Sequence, residues 1–155
     1  MAFKRVIIRR VGPLSWLLEL KMQIEAISHI TFIVKDVDRT AKLLSEGLGA
    51  KEVYDSKEKN YSLSREKFFI LGGTWLAIME GVPPTERTYQ HLAFKVPPGS
   101  LPQFEQRLRS LDLEVKPPRS RVDGEGESLY FYDFDNHLFE LHTGTLEHRL
   151  QRYGA

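Results

Sequence analysis

The chain contains no cysteine. That removes disulfides, thiolate metal ligands and a cysteine nucleophile at once. No apolar run approaches the roughly 20 residues that a membrane-spanning helix needs, so no membrane partner is expected. There is no surplus of one charge either. Twenty-two basic residues stand against 21 acidic ones, a formal charge of +1, and that balance lacks the basic excess of a nucleic-acid-binding surface. A reducing cytoplasm is the expected location.

What is present suits a single folded unit. The chain has 155 residues, 41% of them hydrophobic, enough for one core or for two small repeated modules. Residues 1–22 differ from the rest: five basic residues and one acid (Glu19) leave the remainder at 17 basic and 20 acidic. Glu19 breaks the apolar part, and no small-residue cleavage site follows, so a signal peptide is not read there. The expectation is an extension outside the core, with Met22 as a candidate natural start. The domain is then 23–153.

Within that domain one pattern occurs twice. "SHITFIVKDVDRTAKLLSEGLGAKEVYD" and "QHLAFKVPPGSLPQFEQRLRSLDLEVKPP" each read as strand, turn, amphipathic helix and second strand. The first helix is expected from Asp36 to Leu48, capped by Asp36 or Asp38, and the second from Ser100 to Leu111 with Pro102 in its first turn. "TWLAIMEG" and "HLFELHTG" close the two units. His29 and His91 lie 62 residues apart, and Gly81 and Gly144 lie 63 apart. The repeat predicts an α+β fold of two modules, about 25–81 and 88–144, followed by a C-terminal helix.

Strand periodicity sorts the side chains into faces. Ile30, Phe32 and Val34 oppose His29 and Thr31; Leu92, Phe94 and Val96 oppose His91. Leu129 and Phe131 oppose Ser128, Tyr130 and Tyr132; Phe139 and Leu141 oppose Glu140 and His142. The apolar sides should pack on the helices, and the polar sides should converge on a concave surface. His29, His91 and Glu140 would then form a two-histidine, one-carboxylate site suited to Mn²⁺, Fe²⁺ or Zn²⁺ with positions open for substrate. His142 shares a face with Glu140 and is a rival ligand. His137 reads as a turn residue, and His148 as an exposed residue of the terminal helix.

The segments "SHITFIVKD", "YSLSREKFF", "ERTYQHLAF", "GEGES" and "YFYDFDNHLFELHTGTLEHRL" make the resemblance specific. Over roughly residues 22–153 the chain resembles the vicinal-oxygen-chelate superfamily, also called the glyoxalase/bleomycin resistance/dioxygenase fold. Within it, the chain resembles the fosfomycin resistance proteins of the epoxide-hydrolysing FosX type. The resemblance implies two paired βαβββ modules in an intertwined homodimer. It also implies Mn²⁺ held by His29 of one subunit and His91 and Glu140 of the other. It assigns Glu66, in "SREKFF", as the general base that activates water against the epoxide of fosfomycin. Substrate contacts fall on Thr31, Ser128, Tyr130 and Arg149, with Arg119 and Arg121 as further phosphonate contacts.

Relatives with other chemistry are set apart by single residues. Glyoxalase I enzymes share the resemblance but carry a second glutamate four residues before the first module's closing glycine. Here that position is Ala77, which cannot ligate. Ring-cleaving dioxygenases need an additional acid-base histidine and usually a longer chain. The alternatives kept are a thiol transferase opening the same epoxide with glutathione or a similar thiol, and a non-catalytic drug-binding protein. The thiol-transferring relatives lack a match to Glu66, and the drug-sequestering relatives lack the metal.

Overall fold

The alternating residues around His29 and His91 fold as the first strand of each half. The computed structural model describes residues 23–59, 61–117 and 124–154. In the first half, β1 (His29–Val34) leads into α1 (Val37–Lys42), which continues as a π-helical turn, Leu43–Gly47; β2 (Lys51–Asp55), β3 (Glu66–Leu71) and β4 (Thr74–Glu80) follow. The sheet order is β1-β4-β3-β2. β1 runs parallel to β4, and the other neighbours are antiparallel. The second half contains β5 (His91–Lys95), α2 (Leu101–Ser110), β6 (Ser128–Tyr132) and β7 (Leu138–His142), in the order β5-β7-β6, and ends in α3 (Leu146–Tyr153).

The second half repeats the topology of the first with one strand reduced. Where β2 would pair, a single bridge among the described residues joins Val115 to Phe131. Lys116 still donates its N–H to the Tyr130 carbonyl at 2.8 Å, but Pro117 comes next, and proline has no N–H to extend a ladder. The first helix also departs from the expected regular helix over 36–48. Asp36 caps it, its Oδ1 accepting from the Arg39 N–H at 2.9 Å. Its end widens instead, with the Leu48 N–H donating to the Leu43 carbonyl five residues back at 3.2 Å.

The two halves share one core. Val34, Phe69, Leu76 and Ile78 of the first sheet, Phe131, Phe139 and Leu141 of the second, and the helical Leu43, Leu44 and Leu108 belong to one buried cluster. Phe32 of β1 packs 5.2 Å from Phe139 of β7. Full burial of each such side chain stabilises by about 1.5–3 kcal/mol, so these apolar faces determine how the halves join. Their opposite faces are left outside. His29, Thr31, Ala93 and Lys95 are exposed, and so are Ile70 and Tyr89.

A charged network braces the first half. Lys67 is nearly buried and reaches Asp55 at 3.1 Å and Asp38 and Glu52 at 3.3 Å each. Burial works against its charge, but the hydrogen bonds it donates to the three carboxylates hold its pKa above the usual lysine value. Among the described residues, no helix is long and apolar enough to cross a membrane. Residues 1–22, including the expected extension and Met22, lie outside the described residues, as do Arg119 and Arg121.

Candidate metal and substrate site

On the second sheet, register lines up the chemistry. His91 stands beside Leu138, Glu140 lies between Ala93 and Tyr130, and His142 lies between Lys95 and Ser128. His91 Nε2 is 3.0 Å from Glu140 Oε2. The other ring nitrogen, Nδ1, lies 2.8 Å from the Tyr89 carbonyl. A carbonyl only accepts, so Nδ1 carries a hydrogen, and Nε2 of a neutral ring would present a lone pair. An ionised carboxylate is likewise acceptor-only. Two acceptors this close are compatible only with a cation at them, either a proton or a metal ion. The pair therefore fits a divalent ion.

His91 is held from several sides. Tyr130 packs edge-on, with centroids 5.6 Å apart, and Tyr89 does so at 5.1 Å. The linker that supplies the Tyr89 carbonyl is itself pinned. The Tyr132 hydroxyl donates to the Thr88 carbonyl at 3.2 Å, Arg87 reaches Glu114 at 2.7 Å, and the Asn136 amide donates to the Pro84 carbonyl at 2.9 Å. Sequence reasoning did not assign Arg87, Tyr89 or Asn136 a role. The only available signal was the closeness of "ERTYQ" to His91.

The first sheet presents the remaining candidates. Its register gives three rows on one face: His29, Trp75 and Ile70; Thr31, Ala77 and Phe68; Ile33, Met79 and Glu66. His29, Thr31 and Glu66 therefore point the same way, as alternation requires. Ala77 occupies the middle row and offers no ligand. His29 packs on Trp75 at 4.4 Å. Glu66 is buried, at 8% exposure, and its backbone is fixed through Ser56: the Glu66 N–H donates to Ser56 Oγ, and the Ser56 N–H to the Glu66 carbonyl, both at 3.0 Å. Burial and then the nearby Glu66 carboxylate push the Tyr54 hydroxyl above its ordinary pKa.

The expected convergence of all polar faces does not occur within one chain. Among the described residues, no three histidine, aspartate or glutamate side chains gather around one ion position. The reason is the shared core: the halves join through their apolar sides, so each polar face turns outward. His91, Glu140, Ser128 and Tyr130 lie together on one sheet, and His29, Thr31 and Glu66 on the other. A cavity of about 740 Å³ is bordered by both Thr31 and His91, but Glu140 and Glu66 do not line it. Arg149 is half-buried on α3. His148 is exposed on the same helix, and His137 sits in a turn with Nδ1 2.7 Å from Asp133, as expected of both.

Comparison with known proteins identifies the fold. Residues 26–141 match the Glyoxalase/Bleomycin resistance protein/Dioxygenase superfamily. The chain is 54% identical over 130 residues to the fosfomycin resistance protein FosX of Listeria innocua, spanning 84% of this chain and 98% of that one. It is 35% identical over 134 residues to the metallothiol transferase FosB of Staphylococcus saprophyticus, spanning 84% of each. A crystal structure of a mutant FosX from Listeria monocytogenes, complexed with Mn(II) and 1S,2S-dihydroxypropylphosphonic acid, superposes with a TM-score of 0.77 at 50% identity, covering 84% of this chain and 99% of that one.

Proposed function

Because this chain belongs to the fosfomycin resistance proteins of the FosX type, within the Glyoxalase/Bleomycin resistance protein/Dioxygenase superfamily, we propose that it inactivates fosfomycin by adding water across the epoxide in a Mn²⁺-dependent reaction. The observation that carries the reading is the 3.0 Å contact between His91 Nε2 and Glu140 Oε2, two acceptors that a cation reconciles. His29 would complete the ligand set from a second copy of the chain, because its sheet faces away from theirs. Glu66 shares the His29 face and would arrive with it. The product-like diol bound with Mn(II) in the Listeria relative supports the same chemistry, since water and an epoxypropylphosphonate make a vicinal diol.

When bound, the ion supplies Lewis acidity at the epoxide oxygen. Glu66 takes a proton from water, and the water oxygen bonds to the carbon bearing the phosphonate. That carbon's bond to the epoxide oxygen breaks with its electron pair left on oxygen, which then takes up a proton. Among the described residues the Glu66 carboxylate has no hydrogen-bond or ion-pair partner, so its lone pairs are available to a water. Its buried position excludes bulk solvent from a base that must act on one positioned molecule. Tyr130, Arg149 and Thr31 supply donors for the phosphonate and the substrate oxygen.

The test is product identification with purified protein, Mn²⁺ and fosfomycin, with and without thiol. The expected product is the diol in both. A thiol adduct as the main product would instead favour the activity for which the FosB relatives are named. Drug binding with neither product would leave a sequestering protein.

A further inference from the structure

We infer that His142 is a positioning residue: it holds the Ser128 hydroxyl against Glu140 and so decides which carboxylate oxygen is left for the metal ion. The inference rests on the reading of Glu140 as a ligand.

Three contacts define the arrangement. Ser128 Oγ lies 2.5 Å from Glu140 Oε1 and 2.8 Å from His142 Nδ1, and the Glu127 carbonyl lies 3.1 Å from the same Nδ1. An ionised carboxylate cannot donate, so the single hydroxyl hydrogen of Ser128 goes to Glu140. Ser128 oxygen is then an acceptor toward His142, and Nδ1 must carry a hydrogen. The Glu127 carbonyl imposes the same tautomer independently. The hydrogen bonds therefore run in one direction, from His142 through Ser128 to Glu140 Oε1. Oε2 faces His91, 3.0 Å from Nε2.

The seat of the ring is built by close backbone packing. A Cβ at Gly144 would fall 2.5 Å from His142 Nε2 and 2.3 Å from the Glu125 carbonyl; one at Gly126, whose φ is +78°, would fall 2.4 Å from the Gly144 nitrogen. Only glycine at both places lets the "GEGES" turn lie against the end of β7. The imidazole is thereby confined between the bare Gly144 and the Glu127–Ser128 backbone, at 16% side-chain exposure. Two expectations change. His142 Nδ1 is committed to hydrogen bonding and is not a free ligand. The Ser128 hydroxyl is committed to Glu140, so it cannot donate to a phosphonate while that bond is made.

Partners of metal ligands typically contribute 10–100-fold to metal affinity. The experiment measures Mn²⁺ dissociation constants on the full chain without substrate, by electron paramagnetic resonance of the free ion. Ser128→Ala and His142→Leu should each weaken binding by about 10–100-fold. Because they act in series, the double variant should be no weaker than the worse single one. His142→Asn, which keeps an N–H donor near the Nδ1 position, should recover most of the loss. Ser128→Ala removes one oxygen and carries the test even if His142→Leu does not fold. Wild-type affinity in Ser128→Ala overturns the inference, as do fully additive losses or a His142→Asn no better than His142→Leu. A wild-type protein that binds no Mn²⁺ at all overturns the metal reading together with it.

Discussion

Arg65 grips Asp38 through two parallel hydrogen bonds of 2.8 and 2.9 Å, tying the residue before Glu66 to helix α1. Lys67, the residue after Glu66, reaches the same carboxylate. The candidate base is thus flanked by two cations anchored on the sheet's opposite face. The hydrogen bond from Arg65 holds the Asp38 carboxyl below its ordinary pKa, against partial desolvation and with help from Lys67.

A depressed carboxyl stabilises the fold above its unfolded pKa and loses that contribution as pH falls through the folded value. Asp38 is largely exposed, so solvent screening keeps the contribution small, about 0.5–1 kcal/mol. Asp38→Asn should lower the urea midpoint at neutral pH, and the gap from wild type should close below the ordinary carboxylate range. A gap that persisted unchanged into strong acid would show that the clamp is not electrostatic.

Replacing Glu66 separates the two epoxide chemistries. Glu66→Gln keeps the size of the side chain but cannot accept the proton of water. Diol formation should fall by about 10²–10⁴-fold, the usual loss for a general base, while Mn²⁺ binding stays close to wild type. Any thiol addition should fall far less. Diol formation at the wild-type rate would remove Glu66 from the mechanism, and an equal collapse of both products would make it structural.

Sharing of the site between chains can be tested by mixing. His29→Ala and Glu140→Ala homodimers should each be inactive and bind Mn²⁺ poorly. If subunits exchange at random, half the dimers are mixed, and each mixed dimer has one intact site. About a quarter of the wild-type activity should then return, as two-fold symmetry requires. Sites contained within single chains would regain nothing.

Gly144→Ala should destabilise the protein by about 1–3 kcal/mol through overpacking, because the added methyl meets the Glu125 carbonyl and the His142 ring. Mn²⁺ affinity should fall with it, as the ring leaves its seat. Thermal melts beside metal titrations check both, and an unchanged melting temperature would mean that the turn yields freely.

The parts legible in the sequence were those governed by local periodicity. Alternation placed His29 and Thr31 opposite Ile30 and Phe32, and Glu140 opposite Phe139, as the sheets do. A cap at Asp36 or Asp38 was readable because an Asx side chain and a backbone N–H three residues on are chain neighbours, and the structure uses Asp36. The π-helical turn at Leu43–Gly47 was not, since its residues suit an ordinary helix equally well. Nor was the isolated bridge at Val115 that stands for an edge strand among the described residues, although Pro117 hinted at it. The hydrogen bonds from His142 through Ser128 to Glu140 depend on β6 pairing with β7, and the outward turn of the polar faces depends on how two halves meet. Both are tertiary facts that no single segment encodes.

The outward-facing sheets have a consequence for inheritance. If each chain lends His29 to one site and Glu140 to the other, a chain lacking both ligands damages every site it touches. Paired with a normal chain, it leaves no intact site in the dimer. Expressing a His29→Ala/Glu140→Ala chain beside the wild type in a fosfomycin-resistant cell should therefore make the cell more sensitive to the drug. A lesion of this kind would behave as dominant, because its partner's own ligands are left facing an empty half.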